Sequence, residues 1–312
     1  MNIQQLEYII AVDKYRHFVK AAEKCFVTQA TLSMMVKKLE DELNIKIFDR
    51  SRQPVVPTEI GNKIIAQAKI ILQESSRLKE IVEEEQGELR GELRIGIIPT
   101  LAPYLLPLFM SSFLKKYPLV RLKISELTTD DIVTKLEQHD LDAGLLSTPL
   151  NLPSVLEQPL FYEEFVVYAA EKEKLLQKKF VLAKDIDINR LCLLEEGHCL
   201  RSQVFNFCEL KDKEKEVSQM DFATGSIETL KKIVETNHGI TILPFLALKD
   251  MPRKQKNNIR HFKSPAPVRE IGLVTYRYFL KDKLIACLKE EILKNIPEEM
   301  KKVGRKEVIN IT

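Results

Sequence analysis

The chain is poor in thiols. Five cysteines stand among 312 residues, an odd number with no regular spacing, which excludes a secreted disulfide framework and fits a reducing compartment where any disulfide is transient. Long apolar runs are missing too: the longest, Leu101 to Met110, is interrupted by Pro103 and Pro107 and is too short to span a bilayer. The opening MNIQQLEYII has no basic stretch of the kind that begins a signal peptide, so the expectation is a soluble, cytoplasmic protein. There is no internal repeat and no low-complexity tract, and a formal net charge of only +3 identifies no partner. What is present is 45% hydrophobic residues, enough for sizeable cores in two or three domains.

Two of the five thiols share one stretch, Leu193 to Cys208, reading LLEEGHCLRSQVFNFC. Gly197 breaks the preceding apolar run and Leu200 to Phe207 reads as a short helix, so Cys199 falls near a helix N-terminus with His198 and Arg201 beside it. Helix N-termini and cations stabilise a thiolate, the reactive form. Peroxide oxidises such a sulfur to a sulfenic acid, which condenses with a second thiol. Cys208 is the nearest candidate in sequence, but nine helical steps of about 1.5 Å separate the Cα atoms by roughly 13 Å, against the about 4.4 to 6.8 Å that a disulfide needs. Closing that bond would require the segment to unwind, which points to a switch rather than a staple. Other readings stand beside it. Cys25, Cys192 and Cys287 read as small buried hydrophobes. A zinc site from Cys192, His198, Cys199 and Cys208 has the right ligand types, but adjacent His and Cys with long spacers match none of the usual CxxC patterns.

From Lys14 to Lys38 six Lys or Arg face one acidic residue, Glu23. The same region reads as three helices: Leu6, Ile9, Ile10 and Val12 mark the first, Phe18 to Cys25 the second and Thr28 to Leu43 the third, capped by Thr28. Ala21 and Ala22 permit close helix approach, and the tight break at Phe26 and Val27 makes a helix-turn-helix. Its second helix can enter a major groove, with Gln29, Thr31 and Ser33 reaching bases or phosphates and Lys37 neutralising a phosphate. The alternative is a solvated basic face on an ordinary helical bundle. Phe48 to Thr58, with two prolines, reads as a small β-hairpin or wing carrying Arg50 and Arg52 as backbone contacts. Thr58 then caps a long helix in which Ile60, Ile64, Ala68, Ile71, Ser75, Leu78 and Val82 recur at four- and three-residue steps. That seam favours pairing with a second copy over packing on its own domain.

The polar stretch 83–88, with Gly87 and Gly91, reads as a hinge. Beyond it strands and helices alternate: strand Leu93 to Ile98, helix Ala102 to Lys116, strand Val120 to Leu127, helix Asp130 to His139, strand Asp142 to Leu146. Further strands follow at Phe165 to Ala170, Gly239 to Leu243 and Ile271 to Tyr276, with a helix at Ser226 to Glu235. This alternation predicts an α/β domain with a largely parallel sheet. Pro99-Thr100 and Thr128-Thr129 fall at strand-to-helix turns, where ligands collect in such sheets. Leu284 to Ile296 reads as an amphipathic helix, followed by a charged tail expected to be mobile.

The run AAEKCFVTQATLSMMVKKLEDELNIKIFDR, the proline-containing wing and PTEIGNKII resemble the winged helix-turn-helix of LysR-type transcriptional regulators, and with the α/β half the resemblance covers essentially the whole chain. IGIIPTLAPYLLP, EEGHCLRSQVFNFC, GSIETLKKIV, HGITILP and REIGLV are similar to the hydrogen-peroxide-sensing members of that family. The resemblance implies an N-terminal winged helix-turn-helix over 1–58, a dimerisation helix and hinge over 59–90, and a periplasmic-binding-protein-like regulatory domain over 91–312. In that domain, subdomain I spans about 91–161 and 269–312, and subdomain II about 162–268. It further implies that Cys199 is the peroxidatic cysteine and Cys208 its resolving partner, and that Thr100, Thr129, His198 and Arg269 position peroxide or its waters. Gln29, Thr31 and Ser33 match family positions at the DNA surface. Two departures bear on base preference: Ala30 stands where proline is common, and Thr28 where serine is frequent.

The implied partners are double-stranded DNA, hydrogen peroxide, further copies of the chain as a homodimer or homotetramer, RNA polymerase, and a thiol reductant of the glutaredoxin or thioredoxin type. No membrane, metal or cofactor is expected, and no turnover that would make the protein an enzyme. Two competing readings remain at this stage. A metabolite-binding member of the same family would regulate independently of the thiols. A thiol peroxidase would leave the helix-turn-helix and the long helix unexplained.

Overall fold

Asn2 opens the first helix by accepting the Gln5 N–H while the Gln5 side chain accepts the Asn2 N–H, a reciprocal cap that satisfies two donors a helix start leaves unpaired. The computed structural model describes residues 1–85, 89–209, 225–237, 239–277, 281–302 and 306–310. They form two compact units, Met1–Glu88 and Leu89–Thr312.

In the first unit, α1 (Ile3–Tyr15), α2 (Phe18–Lys24) and α3 (Gln29–Leu43) pack around Leu6, Ile9, Val12, Ala21, Leu32, Val36 and Leu39. Thr28 caps α3 through the Thr31 N–H, and Asn44, at φ 52°, closes it in the left-handed conformation that asparagine tolerates. Two short strands, β1 (Phe48–Asp49) and β2 (Val56–Pro57), pair antiparallel as the wing. The long helix α4 (Glu59–Glu85) starts where Thr58 Oγ1 accepts the Gly61 N–H at 2.9 Å. Gly61 is required there, because a Cβ would stand 2.0 Å from the Ile47 carbonyl oxygen. The apolar seam of α4 divides: Ala68 is buried in the unit's own core with Ile64 and Ile71 packed against it, whereas Leu78 is 69% exposed. Ile64, Ala68 and Ile71 of the seam therefore serve their own domain. The side chain of Val82 and residues 86–88 of the expected hinge lie outside the described residues; α4 itself runs on through Glu85.

The second unit contains β3 (Gly91–Ile97), α5 (Ala102–Lys116), β4 (Val120–Glu126), α6 (Thr129–Glu137), β5 (Ala143–Thr148) and β6 (Val155–Ala169). Then come α7 (Cys199–Phe207), α8 (Ile227–Asn237), β7 (Ile240–Pro244), α9 (Arg253–Lys256), β8 (Ile259–His261), β9 (Ala266–Tyr276), α10 (Asp282–Asn295) and β10 (Lys306–Val308). The strand order is β4-β3-β5-β9-β6-β7, with β10 beside β9 and β8 beside β6. Two cores form. One takes Leu93, Ile95, Phe109, Leu145 and Leu288; the other takes Val166, Val167, Val204, Leu230 and Ile242. β6 serves both, with Phe161 in the first and Phe165 in the second.

Three expectations are corrected here. The sheet is mixed rather than largely parallel. β3 is parallel to β4 and β5, but β9 runs antiparallel to both β5 and β6, because β6 leaves the first core and β9 returns to it. β6 also begins ten residues before the expected Phe165. Pro159 hid that part, and it sits where the register with β9 shifts, one of the few places a strand accepts proline. Finally, the tail expected to be mobile contributes β10, parallel to Ala266, Pro267 and Val268 of β9, and Ile309 is buried in the second core.

Candidate functional site

On the first unit, α3 presents its N-terminal turn to solvent: Gln29, Ala30 and Thr31 are exposed, as is Lys37. The Thr31 hydroxyl lies 2.9 Å from that of Thr28, so it is engaged in the cap. Arg50 reaches back from the wing. Its guanidinium donates to Ser33 Oγ at 3.2 Å and to Glu40 Oε2 at 3.0 Å and stacks over the Phe18 ring. Glu40, almost fully buried, also accepts the N–H groups of Ile47 and Phe48. Ser33 and Arg50 are thus brought together, and Glu40, which the sequence did not single out, ties α3 to the wing. Arg52 is exposed and pairs with Asp49 at 3.2 Å.

On the second unit, the candidate residues collect at the carboxyl ends of the parallel strands. Thr100 follows β3 and Thr129 opens α6 after β4. Ser147 is near the end of β5, a strand buried along its whole length. Cys199 is the first residue of α7, with His198 at the cap position; both are nearly buried, at 6% and 8% exposure. The Cys199 thiol donates to Ser147 Oγ at 3.5 Å. Arg269, fully buried on β9, donates from Nε to Glu163 Oε2 at 2.8 Å, from Nη1 to Thr100 Oγ1 at 2.9 Å and from Nη2 to the Thr100 carbonyl at 3.2 Å. Glu163 in turn accepts the Leu246 N–H through its other oxygen at 2.7 Å. The structure therefore joins Arg269 to Thr100. Among the described residues it forms no direct hydrogen bond from Cys199 to Thr100, Thr129, His198 or Arg269. His198 Nε2 stands 3.6 Å from Glu195. Thr129 Oγ1 is buried with no hydrogen-bond partner among the described residues, an orphan of the kind a bound polar molecule satisfies.

Two residues here escaped the sequence reading. Ser147 carried a signal, a polar side chain near the carboxyl end of an apolar strand. Glu163 carried none, since Glu164 beside it looks the same.

Cys208 stands at the far end of α7, in the second core, and burial pushes its thiol up to about 12. All five cysteines are free thiols. The tail fastens α7 between them: Gln203 Nε2 donates to the Ile309 carbonyl at 2.9 Å and Asn206 Nδ2 to the Asn310 carbonyl at 3.0 Å. Arg201 donates to the Leu194 carbonyl and lies over the Phe205 ring. Across the two cores, the Tyr104 hydroxyl on α5 donates to Glu228 on α8 at 2.8 Å. Burial and that carboxylate push the Tyr104 phenol up. Among the described residues no group of His, Cys, Asp or Glu is placed to hold a metal, and no helix is long and apolar enough to cross a membrane.

Residues 3–62 match the bacterial regulatory helix-turn-helix protein family of lysR type, and residues 86–296 match the LysR substrate binding domain. The chain belongs to the LysR family of transcriptional regulators. Family members act on transcription and are not enzymes. A hydrogen peroxide-inducible genes activator from Haemophilus influenzae is 36% identical over 275 residues, 88% of this chain and 90% of the relative. Among solved structures, a cysteine-to-aspartate variant of full-length OxyR from Pseudomonas aeruginosa superposes with a TM-score of 0.79 at 32% identity, covering 95% of this chain and 99% of that one. A cysteine-to-serine OxyR variant from Corynebacterium glutamicum, with hydrogen peroxide bound, gives 0.63 at 25% identity over 94% and 92% of the two chains.

Proposed function

We propose that this LysR regulator senses hydrogen peroxide through Cys199 and Cys208 and converts their oxidation into altered DNA binding. One observation carries the reading: two reduced thiols stand at the two ends of one short helix, one against the Ser147 hydroxyl near a strand end and the other held in a core. The Cys199 thiolate attacks one peroxide oxygen; an S–O bond forms, the O–O bond breaks, and hydroxide leaves to be protonated to water. Cys208, once released, attacks the sulfenic sulfur; an S–S bond forms and water leaves. Two thiols and one peroxide thus yield a disulfide and two waters.

Several features support the roles. The Thr129 hydroxyl is free for a peroxide oxygen, while Thr100 is oriented by Arg269 and keeps its own proton to donate. The Arg269 charge, itself held by Glu163, stabilises negative charge as the O–O bond opens, and His198 directly precedes the sulfur at the start of its helix. The peroxide-bound Corynebacterium glutamicum relative supports the same ligand. Because α7 separates the thiols by about 13 Å, the second step requires α7 to unwind, and the freed segment resets the arrangement of subunits in a homodimer or homotetramer. On DNA, Gln29, Thr31 and Ser33 read the groove, and Lys37, Arg50 and Arg52 meet the backbone, with Arg50 acting through Ser33 and Glu40. RNA polymerase is the downstream partner, a glutaredoxin- or thioredoxin-type reductant returns the thiols, and the site of action is the cytoplasm.

Peptide mass spectrometry under non-reducing conditions, after about one equivalent of peroxide, tests this. A Cys199–Cys208 link is expected, absent in Cys199→Ser and replaced by a lasting sulfenic acid in Cys208→Ser. Thiols that stay reduced, with regulation unchanged, would refute it and favour a metabolite in the crevice.

A further inference from the structure

We propose that Ser147 is a positioning residue for this chemistry: its hydroxyl holds the Cys199 thiol in the resting state and turns to donate to the sulfur once it ionises. The inference rests on the peroxide reading for its consequence, and on the structure for the contact. Ser147 is fully buried, and its Oγ makes one hydrogen bond among the described residues, to Cys199 Sγ at 3.5 Å. A thiol is a weak donor, so in the protonated state a buried hydroxyl gains little from it. A hydroxyl, unlike an amide or a carbonyl, both accepts and donates and rotates to suit. When the thiol loses its proton, the same oxygen turns its O–H toward the sulfur, and the bond becomes charge-assisted and stronger. The neighbouring hydroxyl is already committed, since Thr148 donates to Glu270 at 2.7 Å.

The sheet register places this contact where the reaction needs it. Ser147 is paired with Ile271 across β5 and β9, so the two side chains share a face; Arg269, two residues along β9, lies on that face as well. Glu163 is paired with Arg269 across β6 and β9 and completes the row. The hydroxyl that meets the sulfur and the guanidinium that meets Thr100 therefore stand on one side of one sheet, two residues or about 7 Å apart along the strand. A central strand is a rigid mount, which is what holding a nucleophile in place requires. Oxidation to the disulfide takes Cys199 away from this strand, so Ser147 acts on the first step and not on the second.

The test uses the full-length chain in a Cys208→Ser background, comparing Ser147, Ser147→Ala and Ser147→Thr. Alkylation of Cys199 by iodoacetamide is followed by mass spectrometry from pH 5 to pH 10, and sulfenic acid formation with hydrogen peroxide is followed at pH 7. The charged groups on the Cys199 segment, His198, Glu195 and Arg201, and those on the facing strands, Arg269 on β9 and Glu163 on β6, are unchanged in all three. A displaced profile therefore belongs to the hydroxyl. Ser147→Ala is expected to move the alkylation midpoint up by about one pH unit and to slow oxidation about tenfold at pH 7, with the two alkylation rates converging at high pH; Ser147→Thr restores the parent profile. An unchanged profile in Ser147→Ala overturns the proposal, whatever happens to the rate, and a circular dichroism spectrum matching the parent guards against misfolding. If the parent itself forms no sulfenic acid, the peroxide reading fails while the alkylation profile still decides the role of Ser147.

Discussion

Alkylation of Cys208 by iodoacetamide in the reduced, folded protein is expected to be slower than in the unfolded chain by about three orders of magnitude from ionisation alone. The thiol is an acid, and burial penalises its charged form, so its pKa moves from the ordinary 9.0 up to about 12. At pH 8 the thiolate is then about one part in ten in the unfolded chain and about one part in ten thousand in the fold. The 8% exposure of Cys208 slows the reaction further, so the ionisation factor is a floor. The assay blocks disulfide formation with Cys199→Ser, reads the Cys208 peptide by mass spectrometry with and without denaturant, and raises the pH stepwise. The folded rate is expected to climb about tenfold per pH unit past pH 9, where the unfolded rate levels off. The same shift has a stability consequence of definite sign. A pKa raised by folding contributes stability that is complete below about 9 and is lost as pH rises through about 12, so Cys208→Ala is expected to reduce the protein's sensitivity to alkali in that window. Labelling of Cys208 in the native protein within tenfold of the denatured rate at pH 8 would refute the reasoning. It would mean that α7 does not hold Cys208 in the core, and the proposed unwinding step would not be needed to release it.

Other perturbations probe the elements around this helix. Glu163→Gln leaves the fully buried Arg269 without a counter-charge and is expected to cost about 3 to 5 kcal/mol, seen as a lower urea midpoint by circular dichroism; a loss under about 1 kcal/mol would show the pair to be dispensable. Gln203→Ala removes the bond to the Ile309 carbonyl, and because one such bond is worth about 1 kcal/mol, closure of the Cys199–Cys208 disulfide after peroxide treatment should quicken about fivefold by non-reducing peptide mapping. An unchanged rate would mean that the tail does not restrain α7. Lys37→Ala, at an exposed position on α3, is expected to reduce the slope of log binding constant against log salt for DNA by about one. An unaltered slope places Lys37 off the phosphates.

Much of the architecture was legible because local signals agreed with tertiary ones. The reading of Ala102 to Lys116 as a helix coincides with α5, Thr28 and Thr58 cap the helices they were expected to cap, and the wing pairs antiparallel. The failures share a cause, since each concerns a strand whose partner lies far away in sequence. The first part of β6 alternates polar and apolar residues around Pro159 and pairs with β9 more than a hundred residues later. β10 is three residues in a charged tail, unreadable without the edge of β9 that receives it. At the candidate site, residue type and position were enough to single out the thiols and the strand-end threonines as candidates. The Arg269–Glu163 pair is different. An acidic residue in an exposed-looking alternation becomes buried only because two long strands cross between two cores, and a single-chain pattern holds no record of that crossing.

The sequence of α7 accounts for why the helix between the two thiols is one that the proposed disulfide could undo. CLRSQVFNF contains Ser, Val, two Phe and Asn, none a strong helix former, and its nine residues are too few to be stable alone in water. His198 gives it no side-chain cap, and Gly197 enters at φ +88°, a turn that leaves the N-terminus free to re-form differently. What holds the helix is tertiary. Leu200, Val204 and Phe205 are buried in the second core, and two side-chain amides grip the carbonyls of residues 309 and 310. A segment that is helical by packing and not by propensity can be outbid by one covalent bond, provided the packing is local and the rest of the core survives without it. The second core is built to meet that condition, because it also draws Val166, Val167, Leu230, Val234 and Ile242 from β6, α8 and β7. On this account the stability of α7 sets the energetic threshold for switching, and substitutions that raise its intrinsic helicity at exposed positions should slow disulfide closure while leaving the first oxidation of Cys199 unchanged.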